Sequence, residues 1–345
     1  MQRLVLLSLV LAAGCSDALE QTSSAGQVIA VVNSTDRSLS LVAATDFSVS
    51  TRSFTTPGAT PRTIDGHGNA FLVPLGQASA VAVDFLPPPC RDVCPRTDYV
   101  IPLAAGSGAT GVAIQDDSIA WVANPALNSV TRVNYVRGDT ASVAVGVAPQ
   151  AVVMFRTRVF VLNANVVGGT PAGASWLTSF DCCAISTPDS IPLSGANAQY
   201  AVMGGDSLLY VVASGRPGFA DGKLLIVDPR ARTELAVLNG LGESPGAVAF
   251  HPSGRLLVAS RAEGILEVYT PTRFVTRGPG NGVKPGGNGV SGLATDLRGR
   301  VYAVDPGACS AAGAVHILTA PPEYRELKSV PVGVCPTAAA VAAVP

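Results

Sequence analysis

The chain has 345 residues, with 23 Lys and Arg against 24 Asp and Glu, and a formal net charge of −1. This near-neutral charge argues against a nucleic-acid-binding protein, which needs a basic face to displace counterions. Apolar residues make up 48% and charged residues only 14%, so we exclude a long disordered protein and expect a large buried core.

The first residues have the layout of a bacterial export signal. Residues 1–3 carry a positive charge, and residues 4–13 form an apolar run that is too short to span a bilayer. The run ends in LAAGC at 11–15, which resembles the lipobox of bacterial lipoproteins. An ordinary signal peptide that is cleaved nearby is the alternative.

The lipobox resemblance implies a lipid-anchored protein. It predicts a signal peptide over 1–14, acyl chains on Cys15 that hold the protein on a membrane, and a polar tether over 15–26. The residue directly after the cysteine is Ser16 and not an aspartate, which favours transport of the lipoprotein to the outer membrane. We therefore expect a protein of the bacterial cell envelope that faces the periplasm or the exterior.

Three β-strands are predicted directly after this tether. Residues 27–33 (QVIAVVN), 38–43 (SLSLVA) and 48–55 are short and rich in β-branched residues, and polar turns separate them. No long stretch of the chain has the 3.6-residue period of an amphipathic helix. The pattern therefore predicts an all-β protein.

From residue 61 onwards one pattern recurs along the chain. A small-apolar stretch leads through a polar turn to a hydrophobic strand that ends in Asn, Asp or Ser, and a loop and a further apolar strand follow. The copies are 40 to 49 residues apart, which is the period of a four-stranded propeller blade. They begin at Pro61, Ala109, Pro149, Ala198, Pro245 and Val290.

The two ends of the chain complete the count of blades. A seventh copy begins at Pro336, and the chain ends after its first strand (PTAAAVAAVP). The strands at 27–33, 38–43 and 48–55 supply the second, third and fourth strands of that blade, which closes the ring and removes open sheet edges. We predict a seven-bladed β-propeller over 27–345, with four-stranded antiparallel blades and a first blade shared by the N- and C-terminal strands.

Two segments resemble the YVTN (YncE-like) family of propeller repeats. Trp121-Val-Ala-Asn124 followed by Asn128-Ser-Val-Thr131 carries the signature, and residues 31–33 with 38–41 are a weaker copy. The resemblance covers nearly all of residues 27–345. It implies the propeller fold and a surface or periplasmic protein, but no defined activity, because one fold hosts many functions.

Six cysteines remain after Cys15, and an even number in an exported protein predicts disulfides. In a propeller, Cys309 and Cys335 fall in connections on the same face at the closing seam, so we predict a bond between them. Cys90, Cys94, Cys182 and Cys183 fall in third-to-fourth-strand loops of two blades that are not neighbours. We therefore predict the local pairs Cys90–Cys94 and Cys182–Cys183, with free thiols or a bound metal as alternatives.

The longest loops predict where a partner binds. Second-to-third and fourth-to-first connections lie on one face, called here the upper face, and most of the long loops belong to it. Loops on a rigid scaffold commonly carry function, although tolerated insertions are the alternative. The candidate binding residues of this face are Asn124, Asn128, Asn163, Arg216, Asp221, Arg261, Lys284 and Asp305.

The sequence lacks an obvious catalytic set. His67 and His251 fall in surface turns and His316 in a packed strand, so no nucleophile–base pair is predicted. The innermost strands are mostly Ala, Val and Gly, with Asp65 and Asp296 near their ends, which is too few acids for a metal site. We predict no cofactor and no metal.

Two functions compete at this point. The first is a monomeric, non-catalytic envelope lipoprotein that binds a protein, peptide or glycan partner through its upper face. The second is an exported lactonase-like or redox enzyme with a site at the central channel, and a purely structural role is a third possibility. Three or more acid or amide groups converging on the channel mouth would favour the enzyme.

Overall fold

The computed structural model describes residues 26–86, 97–183 and 188–344. The expected signal peptide, Cys15, the tether before Gly26, and Cys90 and Cys94 lie outside the described residues. Across the described residues the only helical elements are two short 3-10 turns, Pro125–Leu127 and Pro285–Gly287. None of the helices found there has the length and apolar character needed to cross a membrane.

Seven four-stranded antiparallel sheets form the blades of a β-propeller, as predicted. The first three blades cover the chain up to residue 144. Blade 1 contains β1 (Gly26–Asn33), β2 (Ser38–Ala43), β3 (Val49–Ser53) and β30 (Pro336–Val344); blade 2 contains β4 (Asp65–His67), β5 (Ala70–Pro74), β6 (Ala80–Phe85) and β7 (Thr97–Pro102); blade 3 contains β8 (Val112–Ile114), β9 (Ile119–Asn124), β10 (Ser129–Asn134) and β11 (Thr140–Ala144).

The other four blades follow in chain order, and blade 4 carries an extra hairpin. Blade 4 contains β12 (Pro149–Phe155), β13 (Arg158–Asn163), β16 (Ala174–Asp181) and β17 (Asp189–Ala196), with the hairpin β14 (Val166–Val167) and β15 (Thr170–Pro171); blade 5 contains β18 (Ala198–Met203), β19 (Leu209–Ala213), β20 (Lys223–Asp228) and β21 (Thr233–Asn239); blade 6 contains β22 (Val248–His251), β23 (Arg255–Ser260), β24 (Gly264–Tyr269) and β25 (Phe274–Arg277); blade 7 contains β26 (Gly292–Thr295), β27 (Val301–Asp305), β28 (Ala312–Leu318) and β29 (Glu326–Val334).

The C-terminal strand closes the ring against the N-terminal strand. β30 pairs antiparallel with β1 from Gly26 opposite Val344 to Asn33 opposite Pro336. β30 is thereby the innermost strand of blade 1, as the seventh repeat copy predicted. Because both ends are in one sheet, blade 1 has its full set of four strands and the ring is closed at the seam.

The core consists of layers between the blades. Seven hydrophobic clusters fill the seven blade interfaces of the described chain, including one between blades 7 and 1. The middle strands are covered on both sides, so they need apolar residues at successive positions. All five residues of Leu209–Ala213 are buried, for example.

The innermost strands need small residues where they approach each other around the axis. A Cβ on Gly111 would come within 2.2 Å of the Gln150 carbonyl oxygen, and one on Gly292 within 2.9 Å of the Ala338 Cα. The backbone of Gly111 instead donates a hydrogen bond to that same carbonyl at 3.1 Å. The small side chains of the repeat therefore set the width of the central channel.

Candidate functional site

The upper end of the central channel opens into a cavity of about 770 Å³. All seven blades contribute to its wall, mainly through the beginnings of their innermost strands. These strands run from the upper to the lower face, so their first residues surround the upper mouth. The cavity therefore lies on the face where the long loops predicted binding.

One position of the repeat recurs among the polar residues of the wall. It is the second residue of each repeat copy, directly after the Pro, Ala or Val that opens it. In six of the seven copies this residue is polar and lines the cavity. The six are Arg62, Thr110, Gln150, Gln199, Ser291 and Thr337.

The cavity has two positive charges and no carboxylate among the described residues that line it. The cations are Arg62, in the segment that leads into β4 of blade 2, and Arg261, in the second-to-third turn of blade 6. Both side chains are exposed, and neither guanidinium has an ion-pair or hydrogen-bond partner in the described part of the chain. The mouth of the channel is therefore electropositive.

Tyr200 lies on the wall of the same cavity as these two charges. Burial raises the pKa of the Tyr200 phenol, and the positive charges of Arg261 and Arg62 partly oppose that increase. The two arginines are 199 positions apart in the sequence, yet both act on one phenol. The fold has thus brought them to a single site.

Three of the uncharged polar side chains of the wall have hydrogen-bond partners within the chain. Gln199 donates to the side-chain oxygen of Asn197 at 2.8 Å, Ser291 donates to the Pro336 carbonyl at 2.8 Å, and Thr337 donates to the Arg62 carbonyl at 3.0 Å. These bonds orient the wall. The guanidiniums are left as the groups that can bind a ligand by charge-assisted hydrogen bonds.

Of the eight predicted binding residues, Arg261 lines this cavity. Asn124 and Asn163 are buried instead, and their side chains serve the blade interior. Asn124 donates to Thr131 at 2.8 Å, and Asn163 donates to Thr178 at 2.9 Å. An asparagine at the end of the second strand thus holds the third strand of its own blade.

Four more of the predicted residues lie on the upper face outside the cavity wall. Arg216 pairs with Asp221 at 2.8 Å and stacks over a neighbouring phenylalanine ring. Lys284 lies 3.8 Å from Glu263. Asn128 is exposed, with left-handed backbone, and accepts a hydrogen bond from the amide of Ala148 at 3.0 Å.

Asp305, the eighth predicted residue, is buried in a polar cluster. It accepts a hydrogen bond from Asn288 at 2.7 Å and lies 3.5 Å from His316. His316 also lies 3.3 Å from Glu326. The packed position of His316 agrees with the prediction. The long loop at 278–288 covers the His316 ring through Gly286.

The cysteines of the upper face form the predicted pair. Cys309 and Cys335 are bonded, with an S–S distance of 2.00 Å, and tie the second-to-third loop of blade 7 to the start of β30. Cys182 and Cys183 are correctly placed in a third-to-fourth loop, but both are free thiols with Sγ atoms 3.1 Å apart. The predicted bond between them is therefore not present in this structure.

The structure also shows the surroundings of Asp65, Asp296 and His251, which the sequence analysis placed at the ends of inner strands or in a surface turn. Asp65 accepts hydrogen bonds from the amides of Ile114 and Gly66, and burial raises its pKa. Asp296 is buried as well. His251 was predicted on the surface but is buried, because its ring nitrogens contact Ser253 Oγ at 2.7 Å and the carbonyl of Gly299 at 2.9 Å.

The sequence-based list of candidates missed Arg62, Gln150, Gln199 and Tyr200. Alignment of the seven repeat copies contained the signal, since a polar residue recurs at the second position of an otherwise apolar opening. Alternation along an inner strand then directs this position toward the axis. The repeat pattern alone gave no signal that Arg261 lines the cavity, because this residue reaches the mouth from the turn between β23 and β24.

Comparisons with known proteins bear on the fold. No family model matches the chain, and no curated protein matches it. Among solved structures, apo AztD from Citrobacter koseri is 11% identical with a TM-score of 0.57, covering 92% of this chain and 98% of that one. Virginiamycin B lyase from Staphylococcus aureus is 12% identical with a TM-score of 0.58, covering 78% and 84%.

A chain of Kuenenia stuttgartiensis hydrazine synthase is also similar, at 15% identity and a TM-score of 0.63, covering 83% of this chain and 90% of that one. At such low identities the likeness shows the fold alone. The named proteins have different roles, so the class defined here is the seven-bladed β-propeller, and its function has to be argued from the site.

Proposed function

We propose that the protein is a non-catalytic, lipid-anchored propeller of the bacterial cell envelope that binds an acidic partner through its upper face. The observation that carries the proposal is the channel mouth, where Arg62 and Arg261 have no partner among the described residues and no described wall residue is a carboxylate. Guanidinium groups bind carboxylates by two parallel hydrogen bonds, which suits an acidic side chain or acidic sugar.

Exposed hydrophobic side chains favour a protein or peptide over a small free anion. The second-to-third connections of blades 3, 4 and 5 expose Leu127, Val167 and Phe219, which are 43%, 62% and 52% accessible. These blades are consecutive, so the three side chains follow one arc of the upper face. A segment that combines acidic and apolar residues matches both the arc and the mouth.

The channel wall gives less support to the lactonase-like or redox alternative. A metal-dependent site needs several convergent oxygen ligands, and the described wall offers the amides of Gln150 and Gln199 without an acid. The two guanidiniums would repel a cation. Both features favour an anion at this position.

The anchor and the repeat family are part of the proposal. The lipobox at 11–15 supports acylation of Cys15 and an envelope location. The YVTN-type assignment is supported by the buried asparagines at the ends of β1 and β9, where Asn33 and Asn124 donate to Ser40 and Thr131. Mass spectrometry of the membrane-extracted protein and of Cys15→Ser tests the anchor.

The binding proposal is tested with two end-blocked peptides. One alternates leucine and glutamate, and its twin carries glutamine in place of glutamate, so the pair differs in charge alone. We expect the acidic peptide to bind in titration calorimetry, and Arg62→Glu and Arg261→Glu each to weaken binding about 10- to 100-fold, since a hydrogen bond to a charged group contributes about 1.5–3 kcal/mol.

Arg137→Glu is the matched control, because Arg137 is an exposed arginine in the third-to-fourth turn of blade 3, on the opposite face. It makes the same charge change and should leave the affinity unaltered. Equal binding of the two peptides, or no loss of affinity in either channel variant, contradicts the proposal.

A further inference from the structure

A second cluster of chemically reactive side chains lies on the lower face, the one opposite the channel mouth. β16 ends at Asp181, and Cys182 and Cys183 follow directly. Both cysteines are free, with their Sγ atoms 3.1 Å apart, and the two sulfurs and a carboxylate oxygen all lie within 4.8 Å of one another. We propose that these three residues bind a tetrahedral divalent cation of the zinc and cadmium type.

Hydrogen bonds hold the three residues in place. The Cys183 amide donates to Asp181 Oδ1 at 2.9 Å, and the Cys182 amide donates to the Thr157 carbonyl at 2.8 Å. Thr157 Oγ1 also donates to Asp181 Oδ2 at 3.2 Å. The cluster is therefore fixed to the turn between β12 and β13, and little backbone freedom remains to be lost when a cation binds.

The burial of the two sulfurs differs in a way that suits a metal site. Cys182 packs in the cluster between blades 3 and 4 that contains Trp121 and Phe180, and it is only 7% accessible. Cys183 is exposed. One ligand is thus held rigidly by the core while the other leaves an open approach from solvent, and a water molecule would complete the coordination.

The sulfur separation is nearer to tetrahedral than to linear coordination of a shared cation. With a metal–sulfur bond of about 2.3 Å, tetrahedral coordination places two sulfurs about 3.8 Å apart, whereas linear coordination requires about 4.6 Å. The observed 3.1 Å is closer to the tetrahedral value. Two thiolates with one carboxylate also suit Zn²⁺ and Cd²⁺ better than oxygen-preferring cations.

Binding changes no oxidation state. The cation forms two metal–sulfur bonds, each thiol loses its proton to solvent, and Asp181 contributes a carboxylate oxygen. The competing reaction is a two-electron oxidation that joins Cys182 to Cys183, with an external disulfide as the acceptor. The two reactions exclude each other, because the disulfide removes both thiolate ligands.

The test uses Cd²⁺ as the probe and the full chain with Cys15→Ser, Cys90→Ser and Cys94→Ser, so that Cys182 and Cys183 are the only cysteines left outside the Cys309–Cys335 bond. Titration should give one Cd²⁺ per chain, with an ultraviolet thiolate-to-cadmium band and release of two protons. Cys183→Ser should lose most of the band, and Asp181→Asn should weaken binding at least tenfold. Circular dichroism verifies that each variant is folded.

Asp139→Asn is the control, because Asp139 is an exposed acid in the corresponding loop of blade 3 and should leave Cd²⁺ binding unchanged. The proposal is overturned if no band develops, if the band persists in Cys183→Ser, or if one cation requires two chains. It is also overturned if the folded protein holds Cys182 and Cys183 as a disulfide, which a mass lower by two hydrogens and the absence of titratable thiol would show.

Discussion

The turns of the lower face and the channel mouth of the upper face use charged residues differently. On the lower face, first-to-second turns hold Asp116, Asp206 and Asp296, and each carboxylate accepts backbone amides of its own turn. Asp116 accepts from Ile119 at 2.8 Å, Asp206 from Leu208 at 3.1 Å, and Asp296 from Arg300 at 2.8 Å. On the upper face, Arg62 and Arg261 have no such partner among the described residues.

This difference separates charges that stabilise the fold from charges that remain available to a ligand. Turn aspartates compensate backbone donors that the turn would leave unsatisfied, so their role is internal. The guanidiniums at the channel mouth form no hydrogen bond or ion pair with the described part of the chain, and they repel each other. An unpaired pair of like charges in a concave site therefore points to binding by an external group of opposite charge.

The largest effect is expected at Asp296. This residue is buried, accepts from Tyr302 at 3.0 Å, and pairs at 2.6 Å with Arg300, which is itself mostly buried. Asp296→Ala leaves that arginine and the turn amides uncompensated, so we expect a loss of about 4 kcal/mol in the free energy of unfolding, measured by urea denaturation. Asp117→Ala, at a side chain 96% accessible, should change it by less than about 0.5 kcal/mol.

The next effect concerns how the upper face is held together. The Cys309–Cys335 bond joins residues 26 positions apart, and loop-closure entropy for that span corresponds to about 3.5 kcal/mol. We expect Cys309→Ser to lose an amount of this order in the same urea experiment. Cys183→Ser, an exposed and unbonded thiol, is the control, and equal losses in both variants would refute the role of the bond.

A buried acid of blade 6 gives a pH-dependent effect. Burial opposes ionisation of Glu267, but hydrogen bonds from Thr276 and Tyr324 and the charge of Arg255 hold its pKa below the ordinary 4.5. The ionised group therefore stabilises the fold above the unfolded-state pKa, and this stabilisation is lost as the pH falls through the lower, folded-state pKa.

Glu267→Gln should accordingly lose about 2 kcal/mol at pH 7, since a buried charge-assisted network is broken. The variant should also lose less stability than the native chain between pH 5 and about pH 3. Urea denaturation at several pH values measures both effects. Glu323→Gln, at an exposed position, should reproduce the native acid profile.

The smallest effect on stability is expected at the channel mouth. Because Arg62 and Arg261 make no charge-assisted contact within the described chain, Arg62→Ala and Arg261→Ala should change the free energy of unfolding by less than about 0.5 kcal/mol. The same variants should lose binding of the acidic peptide. A large loss of stability would mean that these charges are structural, and the comparison of the two faces would fail.

Much of the architecture could be predicted from the chain because propeller blades are local. Six of the seven blades fold from about 45 consecutive residues, so their turns and alternation recur at a readable period. The same regularity assigned Cys309 and Cys335 to one face, and the structure supports their bond. The closure of the ring could also be predicted, because the N-terminal segment has three strands of a blade and the C-terminal segment has one extra strand.

The roles of individual side chains were harder to predict, because residues with similar neighbours in the sequence can have different neighbours in the folded structure. Asn124 and Asn163 end their strands as a surface residue would, yet blade packing buries them. His251 was expected in a turn but is the last residue of β22, and the neighbouring blade covers it through the carbonyl of Gly299. In each case a contact from another segment decides whether the polar group faces water.

The sequence by itself determined the β-class, the number of blades and the way in which the ring closes, because those properties depend on short-range periodicity. Only the tertiary structure decided that Arg62 and Arg261 share one cavity with Tyr200, because they belong to blades 2 and 6 and meet only around the axis. A circular arrangement brings distant positions together at its centre, and no local pattern records which of them will be neighbours.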